Sequence, residues 1–244
     1  WLGRLNNIRT TLQGQQGDRR LRLGIAGGEW KKMMADATAR TRFASEVKKI
    51  IEQYDFDGVD FDFEWPANAS EYNNYSATVI QMRSTLGKYV YFTASLHPVS
   101  FKISPEAIDA LDFISYQCYG PAVMRFPYEQ FVKDGEAAVA YGIPKNKLVM
   151  GVPFYGSTGS LIAAYCDFVN DGLATTNEDT YTYKGNTYTF NSIETIRKKA
   201  RYVCEEDYAG IMSWDLATDI DITNNKSLLK VIKEEFEYYA NPTE

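Results

Sequence analysis

The chain has 244 residues, of which 45% are hydrophobic and 24% are charged, a balance typical of a globular protein with a sizeable core. It contains no run of about 18 apolar residues, so the sequence predicts no membrane-spanning helix. The net charge of −6 argues against nucleic acid as a partner. Aromatic residues reach 14%, which suits either a tyrosine-rich core or a surface for flat apolar ligands such as sugar rings.

The few cysteines and the single histidine limit the metal and redox chemistry of the chain. Cys118, Cys166 and Cys204 are too few and too widely spaced for a metal motif or a dense disulfide framework, although one pair could be bridged. His97 alone excludes a multi-histidine metal site, and it precedes Pro98, so we expect it in a loop. We therefore predict no cofactor and no bound metal.

Short apolar runs alternate with segments of helical periodicity along the chain. In chain order these are a strand at 21–28, a helix at 41–54, a strand at 56–66, a helix at 70–87, a strand at 89–96, a short helix at 104–111, a strand at 111–120, a helix at 128–142, a strand at 147–156, a helix at 192–206, a strand at 209–219 and a helix at 226–239. Ser70 and Ser104 are the expected caps, with Pro105 in the first turn of the short helix.

This alternation predicts βαβ units and a parallel sheet. The six strands end in polar or aromatic residues, which in a (β/α)8 barrel gather at the face where active sites lie. We therefore predict a TIM barrel. A doubly wound open sheet is the alternative, but it would need a phosphate-binding glycine loop, and the segment IAGGEW at 25–30 lacks the GxGxxG spacing.

One segment, residues 157–190, fits no barrel helix. It contains YTYKGNTYTF, in which Tyr and Thr alternate around Gly185 and Asn186, and this pattern predicts a β-hairpin. We interpret the segment as a small insertion that forms a wall beside the site, within a single domain that takes up the whole chain.

The segment DGVDFDFEWP at 57–66 places Asp60, Asp62 and Glu64 two residues apart. On a strand they form a line on one face, spaced by about 6.5–7 Å, with Phe61 and Phe63 on the other. Neighbouring carboxylates of this kind are expected to share a proton, which leaves a neutral acid available near the mouth of a pocket. A solvated edge strand and a Mg²⁺ or Ca²⁺ site are the alternatives.

These acids resemble the D-x-x-D-x-D-x-E sequence of glycoside hydrolase family 18, the family of chitinases and endo-β-N-acetylglucosaminidases. LGIAGGEW at 23–30 is similar to the family's S-x-G-G strand, although Ala26 replaces the serine-like spacing and Glu29 precedes Trp30. LVMGVPFYG at 148–156 and GIMSWDLATD at 210–219 resemble two later strands. The resemblance implies that these are strands 3 to 8 of the barrel and that strands 1 and 2 lie before Trp1.

The resemblance also implies roles for individual residues. Glu64 would be the proton donor, the substrate's own acetamido oxygen the nucleophile, and Asp62 the group that orients the acetamido N–H. Asp60 would lie deeper and exchange a proton with Asp62. Tyr119 would bind the acetamido oxygen and Trp214 would stack under the sugar.

Three further residues are expected to bind substrate: Tyr155, Gln117 and Trp30. The sequence Gln117-Cys118-Tyr119-Gly120 stands where many family members have Met-x-Tyr-Asp, so an acidic neighbour of the proton donor is replaced by glycine.

The resulting prediction is a retaining, endo-acting hydrolase of β-1,4-linked N-acetylglucosamine polymers, with chitin or its oligosaccharides as partner. The alternatives are an endo-β-N-acetylglucosaminidase that cleaves the chitobiose core of N-glycans and a lectin-like relative that binds chitin without turnover. The family resemblance implies a secreted or cell-surface protein, and the sequence gives no oligomeric state.

Overall fold

The computed structural model describes residues 2–14, 19–173 and 177–241. These residues form two compact units, the first within residues 1–95 and 102–112 and the second within residues 96–101 and 113–244. Each unit is an α/β structure in which parallel strands alternate with helices. None of the helices in the described part of the chain is long and apolar enough to cross a membrane.

The first unit has three parallel strands and five helices among the described residues. In chain order they are α1 (Leu2–Gln13), β1 (Arg22–Ala26), α2 (Trp30–Ala35), α3 (Ala37–Tyr54), β2 (Gly58–Asp62), α4 (Ala69–Leu86), β3 (Tyr91–Leu96) and α5 (Pro105–Ala110). β2 pairs with β1 on one side and with β3 on the other, both in parallel.

Close packing of β2 against β3 depends on Gly58. A Cβ atom at this position would lie 2.0 Å from the carbonyl oxygen of Tyr91, so no other residue fits without a shift of the backbone. The side chain of Asp57 adds a further constraint, because its carboxylate accepts the backbone N–H of Leu21 at 2.6 Å. The Asp-Gly pair that opens the acidic segment thus fixes the start of β2 between its two neighbours.

The second unit has three parallel strands and an antiparallel sheet of four strands among the described residues. In chain order its elements are β4 (Phe113–Tyr116), α6 (Tyr128–Tyr141), β5 (Leu148–Pro153), β6 (Tyr155–Ser157), β7 (Ile162–Ala164), α7 (Tyr165–Asn170), β8 (Thr180–Tyr183), β9 (Asn186–Thr189), α8 (Ile193–Glu205), β10 (Gly210–Trp214) and α9 (Leu228–Ala240). β5 lies between β4 and β10. The antiparallel order is β7-β6-β9-β8.

The predicted hairpin is present, with its turn one residue earlier than expected. β8 and β9 pair in register around Lys184 and Gly185, whose φ angles of 48° and 78° are those of a two-residue type I′ turn. Phe168 of α7 packs against the rings of Tyr181, Tyr183 and Tyr188 at 5.4–5.7 Å between centroids. The hairpin tyrosines therefore contribute to a small aromatic core. Residues 174–176 of the predicted insertion lie outside the described residues.

Candidate active site

The acidic segment has the alternation that its sequence predicts. Phe61 and Phe63 are 0% and 3% exposed, whereas Asp60 and Asp62 are half-buried and Glu64 is exposed. β2 ends at Asp62, so Glu64 lies just beyond the carboxyl end of the strand. The deepest carboxylate is thus enclosed by the first unit, and the last one is open to solvent.

Asp60 is held by side chains from both neighbouring strands. Its Oδ1 accepts the hydroxyl proton of Thr93 and lies 3.4 Å from Nη1 of Arg22. Its Oδ2 accepts the hydroxyl proton of Ser95 at 2.8 Å. The same guanidinium nitrogen donates to the Thr93 hydroxyl oxygen. Asp60 therefore has two hydroxyl donors and one cation around it.

Tyr75 of α4 lies behind the acidic segment. Its side chain is fully buried, and its hydroxyl has no hydrogen-bond partner among the described residues. Burial, with smaller contributions from Asp60 and Asp62, raises the pKa of Tyr75 well above its usual range. The phenol stays neutral, so it adds no charge to the acidic side chains.

Trp30 occupies the opposite side of β2 from the acids. It is 7% exposed and packs against Phe63 at 5.8 Å and Tyr75 at 6.3 Å between ring centroids. These contacts place Trp30 in the hydrophobic layer under α4. The geometry therefore favours a packing role for Trp30 over the role in sugar binding that the sequence suggested.

In the second unit, four of the predicted residues lie at or just after the carboxyl ends of adjacent parallel strands. Gln117 and Tyr119 follow β4, Tyr155 follows β5, and Trp214 ends β10. The indole of Trp214 is 55% exposed, whereas Tyr119 and Tyr155 are 6% and 8% exposed. This edge therefore presents one open aromatic face beside two enclosed phenol rings.

Tyr119 sits in a small aromatic cluster with Tyr155 and Phe126. Its ring meets that of Tyr155 edge to face at 6.3 Å, and Tyr155 meets Phe126 in the same way at 5.8 Å. The hydroxyl of Tyr119 donates to Sδ of Met212 at 3.4 Å. A thioether is a weak hydrogen-bond acceptor. Burial raises the pKa of Tyr155 to about 12.

The backbone of Tyr119 is fixed by His97. The imidazole is buried, and its Nε2 lies 2.9 Å from the carbonyl oxygen of Tyr119. Its Nδ1 accepts the backbone N–H of Val99 at 3.2 Å, which assigns the proton to Nε2. Burial lowers the pKa of His97, since the charged form would lose its hydration.

A buried lysine supports the same cluster from below. Lys199 of α8 is fully buried, and its Nζ donates to the carbonyl oxygen of Phe126 at 2.8 Å and to Oδ1 of Asn191 at 2.7 Å. The Asn191 amide donates to the same carbonyl at 2.8 Å. Burial lowers the pKa of Lys199 to about 8. Together these donors fix the residue on which Tyr155 packs.

The eight predicted site residues divide between the two units. The first holds Asp60, Asp62, Glu64 and Trp30, and the second holds Gln117, Tyr119, Tyr155 and Trp214.

The sequence did not point to several residues that hold the predicted site residues in place. These residues are Arg22, Thr93, Ser95, His97, Met212 and Lys199. A signal existed for two of these, because Thr93 and Ser95 alternate on β3 as the acids do on β2.

The donor set of the described residues does not favour a metal ion. Within residues 2–14, 19–173 and 177–241, no group of three or more His, Cys, Asp or Glu side chains is arranged to hold one. The three cysteines, Cys118, Cys166 and Cys204, are free thiols, so the bridge that the sequence left open is absent.

Comparison with known proteins identifies the family. The model of "Glycosyl hydrolases family 18" matches residues 4–219. "Probable chitinase 2" of Drosophila melanogaster is 23% identical over 89% of this chain and 60% of its own length. "Class V chitinase" of Arabidopsis thaliana is 24% identical over 81% of this chain and 69% of its own. The chain thus spans about two thirds or less of these relatives.

A solved structure agrees with this result. The GH18 chitinase ChiB from the chitin utilization locus of Flavobacterium johnsoniae superposes with a TM-score of 0.80 at 26% identity, over 95% of this chain and 79% of its own. The chain belongs to glycoside hydrolase family 18. Its α/β fold of the TIM-barrel type, predicted from the alternating strands and helices, is confirmed by this match.

Proposed function

We propose that this protein hydrolyses β-1,4-linked N-acetylglucosamine polymers, with chitin as the substrate and retention of the anomeric configuration. The observation on which the proposal rests is the acidic face of β2. Asp60 and Asp62 are half-buried on it, and Glu64 follows them, exposed at the carboxyl end of the strand. An accessible carboxyl group with two half-buried carboxylates behind it suits a general acid.

Each residue has a chemical task in this scheme. Glu64 gives its proton to the glycosidic oxygen as the bond breaks. The acetamido oxygen of the substrate attacks the anomeric carbon, so no second enzyme carboxylate has to act as nucleophile. Asp62 accepts the acetamido N–H and stabilises the positive charge of the cyclic intermediate. Water then opens that intermediate, with Glu64 acting as base.

The aromatic residues of the second unit suit the recognition of a sugar. The exposed indole of Trp214 offers an apolar face of the size of a pyranose ring. The hydroxyl of Tyr119 donates to the thioether of Met212, and an acetamido oxygen is a stronger acceptor than a thioether. The family resemblance implies a sugar-binding role for both residues, and the exposure of Trp214 and the contacts of Tyr119 support that role.

The names of the relatives favour chitin. The fly and plant relatives are both named as chitinases, and so is the bacterial structure. We propose that the protein cleaves within the polymer rather than at its ends, because the segment between β5 and α8 is short. A polymeric substrate of this kind is met outside the cell, which supports a secreted or cell-surface location.

The test compares Glu64→Gln with the unmodified protein on chitotetraose and on a high-mannose glycoprotein, with products read by mass. Glu64→Gln keeps the shape of the side chain and removes the acid, so turnover should fall by about 10²–10⁴ while oligosaccharide binding persists. Glu52→Gln on the exposed face of α3 is the matched control and should keep normal turnover.

Three outcomes would contradict the proposal. Turnover near normal in Glu64→Gln would remove Glu64 from the reaction. Release of intact glycans with chitotetraose untouched would assign the protein to the N-glycan enzymes. Binding of chitotetraose without cleavage by the unmodified protein would indicate a lectin.

A further inference from the structure

The loop between β4 and α6, residues 117–127, is held at several points along its backbone. Nε2 of His97 lies 2.9 Å from the carbonyl oxygen of Tyr119. Ser157 of β6 donates its hydroxyl to the carbonyl oxygen of Pro121 at 2.5 Å. Side chains that lie outside the loop thus fix two of its carbonyl groups, one of them in the residue that the proposed reaction uses.

A buried ion pair holds the same loop from α6. Nη1 of Arg125 lies 3.0 Å from Oδ1 and 3.2 Å from Oδ2 of Asp134. Gln130, one turn earlier on α6, donates to Oδ1 of Asp134 at 2.7 Å. The side chains of Arg125 and Asp134 are 14% and 6% exposed, so water screens the pair little. The guanidinium of the loop therefore has a fixed anchor on a helix.

Stability alone does not account for this ion pair. Two charges that leave water lose their hydration, and apolar side chains of similar volume often stabilise a core as well or better. A hydrogen-bonded ion pair differs from an apolar contact because it has a direction. Arg125 immediately precedes Phe126, whose ring meets that of Tyr155 at 5.8 Å, and Tyr155 in turn meets Tyr119 at 6.3 Å. The position of the guanidinium thus bears on the aromatic cluster around Tyr119.

We propose that Asp134 is a positioning residue: through Arg125 it holds the loop in the arrangement that presents the hydroxyl of Tyr119 to the acetamido oxygen of the substrate. This inference rests on the proposed function, in which Tyr119 binds that oxygen. Asp134 is buried and acts through the loop rather than by contact with the sugar. A displacement of about 1 Å costs on the order of 10²-fold in rate, so a loop free to shift should slow the reaction more than it weakens binding.

The experiment measures kcat and KM for chitotetraose separately. Asp134→Asn keeps the shape of the side chain and removes its charge. Its kcat should fall by about tenfold or more, and its KM should change by less than about threefold. Arg125→Lys keeps the charge and should retain more of kcat than Arg125→Met. The matched control is Glu206→Gln, which removes the exposed ion pair with Lys145 in the same unit and should keep both constants.

A double variant separates positioning from stability. Arg125→Met combined with Asp134→Leu should regain the free energy of unfolding that Asp134→Asn loses, because an apolar pair leaves no buried charge without a partner. Its kcat should stay low, because an apolar contact sets no direction. A kcat that returns together with stability overturns the proposal, and so does a normal kcat in Asp134→Asn. If Asp134→Asn does not fold, equal kcat values in Arg125→Lys and Arg125→Met overturn it instead.

Amide hydrogen exchange separates this inference from the proposed function. The N–H groups of Arg125 and Phe126 donate to carbonyl oxygens within the loop at 3.0 and 3.2 Å, so mass spectrometry of loop peptides reports on its order without substrate. In Asp134→Asn these amides should exchange about tenfold faster, measured against the amides of α8 in the same sample. Faster exchange in a protein that cleaves no chitotetraose would contradict the hydrolase proposal alone, whereas unchanged exchange would contradict the role of Asp134.

Discussion

Replacement of the buried Lys199 by methionine should change how stability depends on pH. The ammonium group lies in the core of the second unit, 5.0 Å from the ring of Phe131, and burial lowers its pKa from 10.5 to about 8. The unfolded chain therefore holds this proton up to a pH near 10.5, while the folded chain releases it near 8. Between these values the unfolded state binds more protons, so stability rises with pH.

The size of the effect follows from the two pKa values. Each pKa unit corresponds to about 1.4 kcal/mol, so a lowering by roughly 2.5 units amounts to about 3 kcal/mol in all. Between pH 7.5 and 9.5, Lys199 should contribute an increase of about 2 kcal/mol to the free energy of unfolding. This increase should be missing in Lys199→Met. Cysteine and tyrosine titrations are common to both proteins, so the difference between them isolates the lysine.

Urea denaturation at a series of pH values measures this difference. Lys198→Met, on the exposed side of the same helix, is the matched control and should follow the unmodified protein. The reasoning fails if the free energy of unfolding changes with pH by the same amount in Lys199→Met and in the unmodified protein between pH 7.5 and 9.5. Such a result would mean that the ammonium is hydrated and keeps an ordinary pKa in the folded state.

The remaining predictions concern the proposed reaction. Asp62→Asn should slow cleavage by about 10²-fold or more, because the cyclic intermediate loses its countercharge. Fully deacetylated chitosan should resist the protein, since it lacks the nucleophile, and efficient cleavage would point to an enzyme-borne nucleophile. EDTA should leave turnover unchanged. A loss of activity that Mg²⁺ or Ca²⁺ restores would favour the alternative in which the acidic segment binds a cation. Early products from long chitooligosaccharides should be of mixed length, whereas disaccharide alone would contradict cleavage within the chain.

Much of the fold can be predicted from the periodicity of the sequence, but the ends of helices and strands are predicted less well. The alternation of Asp60, Asp62 and Glu64 with phenylalanines fixes which face of β2 is polar, because a strand has a period of two. The start of α4 was expected at Ser70. The cap is Asn68, whose side chain accepts the N–H of Glu71 at 3.0 Å. Both residue types are good caps, so sequence alone could not choose between them.

The contacts that define the candidate site were less accessible to sequence reasoning. Arg22 opens β1, and its sequence context predicted no role in the site. Its contact with Asp60 depends on the register of β1 against β2 and on the space left by Gly24. The contact between His97 and Tyr119 joins residues 22 positions apart. Pairings of this kind become visible only when neighbouring strands are placed side by side.

His97 should make Tyr119 sensitive to acid. Its Nδ1 accepts the N–H of Val99 and its Nε2 faces the carbonyl oxygen of Tyr119, so a second proton would have to enter at Nδ1 and break the first bond. Burial is the main cause that lowers the pKa of His97, and the hydrogen bond to the Tyr119 carbonyl opposes it; Arg125 lowers this pKa and Asp134 raises it by smaller amounts.

The sign of the effect follows from that lowered pKa. The unfolded chain takes up the proton first as the pH falls below about 6.5, so folding becomes less favourable from there down to the pKa of the folded state. As His97 is the single histidine, its ring resonance can be titrated by NMR without assignment. The midpoint should lie below 6.5, with the proton on Nε2 in the neutral form.

Two variants test the contact between His97 and Tyr119. His97→Gln places an amide N–H near the position of Nε2, so it should keep turnover at neutral pH and remove this titration from the acidic side of the pH–activity profile. His97→Phe has no donor and should lower turnover at every pH. A midpoint above 6.5, or equal turnover in the two variants, would show that His97 does not hold Tyr119 in place.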